Sequence, residues 1–172
     1  MADEAGRTFR ADCTCGKVVF TVTGEPLAQF YCHCSDCSRY HSTHYVEVLV
    51  YPDNSDEESH IKLVEGEQHL NSFSSGSQVR HFCKECGTAL FNKNKSAGMV
   101  GTFPVLLDGY KFQPTMHLHC SQSKAYLKGI TDGLPRFKDL PTELGGTGQF
   151  AVGKWQREWS NSPTRCASPV PS

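Results

Sequence analysis

Sulfur dominates the chemistry available to this chain. Seven of its nine cysteines fall into three short clusters: Cys13-Thr-Cys15-Gly16, Cys32-His-Cys34-Ser-Asp-Cys37 and Cys83-Lys-Glu-Cys86-Gly87. The first and third are pairs, each followed at once by a glycine that lets the backbone turn tightly around a metal. Cys13, Cys15, Cys83 and Cys86 together supply four sulfurs, the ligand set of a closed, tetrahedral structural zinc. Such a site would tie together two distant parts of the chain. Structural zinc contributes on the order of 10–16 kcal/mol of apparent binding energy, comparable with the whole stability of a domain.

The middle cluster supplies three more thiolates, Cys32, Cys34 and Cys37, within six residues. A helical turn after Cys34 would return Cys37 towards the other two, and its N–H groups would favour the thiolate form. His33, His41, His44, His81, His117, His119 and Cys120 are candidates for a fourth ligand. If none closes the sphere, the position is free for an external thiolate. Three sulfur ligands leave a metal electron-rich, a weak Lewis acid that keeps a bound thiolate nucleophilic. Addition of a thiol to a small carbonyl compound suits such a site better than hydrolysis of an amide. Disulfides are the competing use of cysteine. An odd cysteine count, and an N-terminus without the basic start and apolar run of a secretory signal, argue against them.

Short strands are expected to position these clusters. Lys17–Gly24 is rich in β-branched residues, with Val18, Phe20 and Val22 pointing one way and Val19, Thr21 and Thr23 the other. Tyr45–Tyr51 reads as a second strand, stopped by Pro52. Further strands are expected at Ile61–Val64, His69–Phe73, Val79–Phe82, Thr88–Phe91, Met99–Phe103 and Met116–His119. One short helix is expected at Ser35–His41, directly after the central cysteines. The pattern is that of a mainly β, mainly antiparallel domain over residues 1–140. After Pro141 the composition changes: Gly145-Gly146-Thr-Gly148 reads as a linker, and residues 141–172 as a partly flexible C-terminal extension. Trp155 and Trp159 are spaced to share one helix face within it. The acidic run Asp53–Ser59 reads as a solvated loop tip.

Composition excludes other classes. Lysines plus arginines number 17 against 18 aspartates plus glutamates, and no basic block stands out, so nucleic acid is not the expected partner. No stretch approaches roughly 18 consecutive apolar residues, so no transmembrane helix is expected. The expected location is cytoplasmic. Oligomeric state is not legible.

The ordered set of motifs resembles the glutathione-dependent formaldehyde-activating enzyme family, which also contains centromere protein V. The resemblance lies in Cys-X-Cys-Gly before a strand, Tyr31-Cys-His-Cys-X-X-Cys37, and His81-Phe-Cys-X-X-Cys-Gly87-Thr-Ala-Leu-Phe91. Downstream, Met116-His-Leu-His, Ser123-Lys-Ala-Tyr-Leu and Asp132-Gly-Leu-Pro-Arg-Phe137 look like the family's closing segments. The match spans roughly residues 8–140. It implies a β-tent of stacked antiparallel sheets stapled by zinc, with few short helices and two zincs per chain. Cys13, Cys15, Cys83 and Cys86 match the family's structural site, and Cys32, Cys34 and Cys37 its catalytic one. The implied activity is that of a carbon–sulfur lyase joining glutathione and formaldehyde into S-hydroxymethylglutathione. The sequence departs from the family at Met116–Cys120, where an aromatic-containing stretch is more usual, and in its Trp-containing extension.

Three functions follow as expectations. The first is a zinc enzyme handling a thiol, glutathione or its adduct, at Cys32, Cys34 and Cys37, with His117 as a nearby acid/base. The second is an enzyme of the same fold acting on a larger metabolite, which predicts a roomy apolar pocket beside the second zinc. The third is a non-enzymatic binding module, which predicts a second site closed by four protein ligands.

Overall fold

The computed structural model describes residues 6–53, 59–123 and 132–151. Most of the acidic run, all but the first residue of Ser123-Lys-Ala-Tyr-Leu, and Trp155, Trp159 and the Ser/Pro-rich end lie outside the described residues. Within them run β1 (Thr8–Asp12), β2 (Val19–Thr23), β3 (Ala28–Cys32), α1 (Ser35–Tyr40), β4 (Val46–Pro52) and β5 (Ile61–Glu65). There follow β6 (Leu70–Ser75), β7 (Gln78–Cys83), β8 (Ala89–Asn94), β9 (Met99–Thr102) and β10 (Met116–Leu118). They form two sheets, β1-β2-β5 and β10-β3-β4-β9-β8-β7-β6. Every strand pairing is antiparallel except that of β10 with β3, which is parallel. Among the described residues no helix is long and apolar enough to cross a membrane.

The two sheets stack because each offers one apolar face. Phe9, Ala11, Phe20 and Val22 from the small sheet meet Leu49, Tyr51, Leu90 and Val100 from the large one, all buried. Alternation along β4 then divides the molecule. Leu49 and Tyr51 point into this main core, while Val48 and Val50 point to the opposite face. There they meet a second, smaller core of Phe30, Cys32 and Leu118, with Met116, Phe137 and Leu140 packed against it. The cysteines of the middle cluster belong to this second core.

The expected β-branched strands form close to their expected places, and the helix forms one residue shorter than expected. The expected β9 loses its last residue, because Phe103 opens a short 3-10 turn at Pro104. β1 and β3 carry no strong strand signal, and pairing with β2 and β4 makes them. The expected strand at Met116–His119 stops at Leu118, because His119 takes a left-handed φ of 57°. Gly145-Gly146-Thr-Gly148 is a turn rather than an extended linker. It returns the chain so that Phe150 stacks on Phe137, ring centroids 4.9 Å apart, and Ala151 N–H bonds Arg136 O at 2.7 Å.

Candidate metal centre

The Cys13/Cys15 pair sits where β1 turns towards β2, and Cys83/Cys86 where β7 turns towards β8. The two turns are built alike. Cys13 N–H donates to Val18 O and Cys83 N–H to Thr88 O, both at 3.0 Å. Gly16 N–H closes on Cys13 O and Gly87 N–H on Cys83 O, both at 2.8 Å, with φ of 72° and 75°. A side chain at either glycine would be strained at that φ. Thr14 N–H reaches across to Thr88 Oγ1 at 3.1 Å and locks the turns together.

All four sulfurs lie within 4.8 Å of one another, with Cys13–Cys15 at 3.4 Å and Cys15–Cys83 at 3.8 Å. Zinc–sulfur bonds of about 2.3 Å in a tetrahedron place sulfurs about 3.8 Å apart. The set fits a metal ion of that size. Val18 N–H points at Cys13 Sγ (3.3 Å), and the Thr88 hydroxyl lies 3.2 Å from Cys86 Sγ. The Thr88 bond leads the effects that bring the Cys86 thiol down to about 6.

The second set is built by one strand end and one helix start. Cys32 closes β3, Cys34 is the N-cap of α1, and Cys37 lies in its first turn. Cys34 Sγ accepts the Cys37 N–H at 3.3 Å, as an N-cap side chain should. The three sulfurs lie within 4.8 Å of one another. Hydrogen bonds from Cys32 and then Cys37 hold the Cys34 thiol down to about 2. Cys32 is raised well above its ordinary value, chiefly because it bonds to Cys34 and Cys37. For Cys37 the Cys32 bond lowers the value, but Cys34 and burial outweigh it and leave it at about 11. One thiolate thus suppresses its neighbours. A divalent cation would remove that conflict, so this donor set fits one too.

No further His, Cys, Asp or Glu among the described residues brings a ligand atom into the three-sulfur set. His33, His41, His44, His81, His117, His119 and Cys120 are all described, and none joins it. His81 stacks on Phe91 on the main-core side, centroids 4.4 Å apart. Cys120 is buried, which pushes its thiol up to about 11.

Register decides where His117 stands. In the β10–β3 pairing Leu118 is opposite Cys32 and His117 opposite Tyr31. Partners share a face, so His117 lies on the side of β3 away from Cys32, stacked on Tyr31 at 4.8 Å. There it meets His33, which lies between two thiols in sequence but points away from them. His117 Nε2–H donates to Asp132 Oδ2 at 2.7 Å, because a carboxylate only accepts. His117 Nδ1 shares a hydrogen bond with His33 Nε2 at 2.9 Å, and His33 Nδ1 shares one with the Ser123 hydroxyl at 3.2 Å. Burial first, then the charge of His117, hold His33 down to about 4, so it is neutral near pH 7. After the sulfur hydrogen bonds and burial, the Cys34 thiol is also lowered electrostatically by His119. His119 Nδ1 is buried without a hydrogen-bond partner.

Reading the sequence missed Asp132 and Ser123 as parts of this network. Their only sequence signal is membership of the closing motifs. A cleft of about 450 Å³ opens at the C-terminal end of α1, lined among others by His41, Tyr45, Phe103, Val105 and Leu106. None of the three thiols lines it.

The family model described as glutathione-dependent formaldehyde-activating enzyme matches residues 8–122. No curated protein gives a match. Among solved structures, the crystal structure of a Rhodobacter sphaeroides protein is 23% identical, with a TM-score of 0.47, over 59% of this chain and 90% of that one.

Proposed function

This chain belongs to the glutathione-dependent formaldehyde-activating enzyme family, and from that membership we propose that it is a zinc enzyme of the carbon–sulfur lyase class. It joins a thiol, glutathione or a related one, to a small carbonyl compound, or parts their adduct, in the manner of S-hydroxymethylglutathione synthase. The observation that carries this reading is the contrast between the two sulfur sets. One has four donors; the other has three, with no fourth among the described residues.

On this reading Cys13, Cys15, Cys83 and Cys86 hold one zinc for the fold, and Cys32, Cys34 and Cys37 hold a second. A zinc held by Cys32, Cys34 and Cys37 would supply positive charge that favours the ionised form of an external thiol near neutral pH. The rest is the work of the chain. β3 and the first turn of α1 aim three sulfurs at one point. His33, fastened by His117 and Ser123 on the far face, keeps Cys32 and Cys34 pointing together. His117, fastened by Asp132, is in this view a positioning residue. Addition forms one C–S bond: the sulfur lone pair goes to the carbonyl carbon, the C=O π pair moves to oxygen, and oxygen takes one proton. His119, whose buried ring Nδ1 has no hydrogen-bond partner, is the proposed donor of that proton. Reduced thiols suit the cytoplasm, the proposed setting.

Purified zinc-loaded protein should speed glutathione–formaldehyde adduct formation above the spontaneous rate, measured by NMR exchange spectroscopy. Cys37→Ser should return it to that rate. A wild-type rate no higher than the spontaneous one removes this substrate pair. A second reading, an enzyme for a larger thiol adduct, would have to place that adduct in the cleft at the end of α1, which none of the three thiols lines. That reading requires turnover to rise when an apolar group is added to the adduct.

A further inference from the structure

Arg80 is the largest fully buried side chain among the described residues, only 2% exposed. It sits in the middle of β7, level with Phe73 on β6 and Asn92 on β8. Asn92 is level with Gly101, and Gly101 with Val50, so Arg80 lies on the face that carries the second core and α1. Its guanidinium rests over the Tyr40 ring, 4.8 Å from the centroid. Tyr40 follows Cys37 by three residues, so the two stand on one side of α1, a turn apart.

None of the ion pairs among the described residues involves Arg80, and its Nη1 has no hydrogen-bond partner. The face of Tyr40 attracts a cation without neutralising it. A buried guanidinium with no counter-ion is among the costliest groups a fold can hold, unless a negative charge stands within reach. The three-sulfur set is the charge on this face. Besides the bonds to Cys32 and Cys34, burial and the charge of Cys34, the charge of Arg80 also acts on Cys37, in favour of the thiolate.

Counting charge shows when Arg80 matters most. Three thiolates around a divalent ion leave one net negative charge, which one guanidinium balances. An external thiolate in the fourth position adds another negative charge; a neutral ligand adds none. The four-sulfur set carries a larger net charge with its metal, but Cys15 and Cys86 are exposed, so water and salt screen it. In the three-sulfur set Cys32 is buried and Cys34 and Cys37 are half-buried, so solvent screens less and a buried cation takes over that task.

We propose that Arg80 is a positioning residue for the reaction: its buried charge balances an ionised sulfur in the fourth position of the Cys32/Cys34/Cys37 set and favours an anionic ligand there over a neutral one. The inference rests on the function proposed above, in which that set holds a metal with one position open.

The test uses full-length protein with cobalt(II) in place of zinc, whose visible absorption reports the fourth ligand, and the four-sulfur set gives a constant background. The probes are 2-mercaptoethanol, which binds as a thiolate, and imidazole, which binds as a neutral ring. Both should bind the wild type. Arg80→Met should weaken 2-mercaptoethanol roughly 10- to 100-fold, the scale of one unit charge removed from a partly buried site, and change imidazole by no more than about two-fold. Arg80→Lys keeps the charge without the planar fork and should recover most of the thiolate affinity. A measurement on wild-type zinc protein stands if Arg80→Met does not fold: 2-mercaptoethanol should shift the Arg80 Nε–Hε NMR resonance more than imidazole does. An Arg80→Met variant that weakens both probes alike, or neither, overturns the proposal and spares the open metal site. So does an Arg80→Lys variant no better than Arg80→Met, or an equal NMR shift with the two probes. A wild-type cobalt spectrum that neither probe alters overturns the open fourth position itself, and the role of Arg80 falls with it.

Discussion

Replacing Cys86 by serine separates the two proposed roles of zinc. Cys86 is exposed whereas Cys83 is fully buried, so Cys86→Ser removes a ligand with little loss of packing. The first sulfur set ties residues 68 apart in sequence, Cys15 to Cys83. Treated as a cross-link, closure of a loop of that length contributes about 4 kcal/mol at about 25 °C through the entropy of the unfolded chain. The second set spans only Cys32 to Cys37, for which the same expression gives about 2 kcal/mol. For a domain of this size each kcal/mol shifts the Tm by about 2–4 °C. Cys86→Ser should therefore lower the Tm by up to about 8–16 °C, and Cys37→Ser by no more than about 4–8 °C. Scanning calorimetry of zinc-loaded variants measures both, with metal content determined on the same samples. A Cys37→Ser loss equal to or larger than that of Cys86→Ser would refute the division into a fold-holding and a substrate-facing set.

Other consequences are open to direct measurement. Metal analysis should find two zincs per chain in the wild type and one in Cys37→Ser, with the protein still folded. Gly66 has a φ of 86°, and a Cβ there would collide with the Lys17 carbonyl behind the first sulfur set. Gly66→Ala should cost about 3 kcal/mol or more in urea denaturation, beyond the ordinary cost of overpacking. Asp132→Asn removes the charge that fastens His117 and should cost about 1–2 kcal/mol by the same assay. Heteronuclear NMR should then show the His117 and His33 ring protons exchanging faster with solvent.

Reading residues in order found most strands because Val, Ile and Phe alternate between clear turn residues. It missed β1 and β3 because Thr-Phe-Arg-Ala-Asp and Ala-Gln-Phe-Tyr-Cys are short and polar enough to pass for loops. These segments become strands through their partners, whose hydrogen bonds and apolar faces lie elsewhere in the chain. Arg80 illustrates the same limit. In Gln-Val-Arg-His-Phe-Cys it occupies a position that alternation would give to solvent. It is buried because α1 lies over that face, and α1 comes from a segment some forty residues earlier.

The cysteine sets were legible because a metal ion gathers its ligands through short, local spacings, and a glycine marks each of the two paired turns. Which way the intervening histidines point was not legible. His33 and His117 are 84 residues apart and meet only because β10 lies parallel to β3. Alternation tells which residues of one strand share a face. It carries no information on which strand lies alongside, and that pairing put Cys32 and Leu118 on one side and His33, His117 and Asp132 on the other. Sequence by itself determined which cysteines gather into sets that could hold a metal; tertiary pairing decided what surrounds them, because those contacts are made between segments with no local signal for one another.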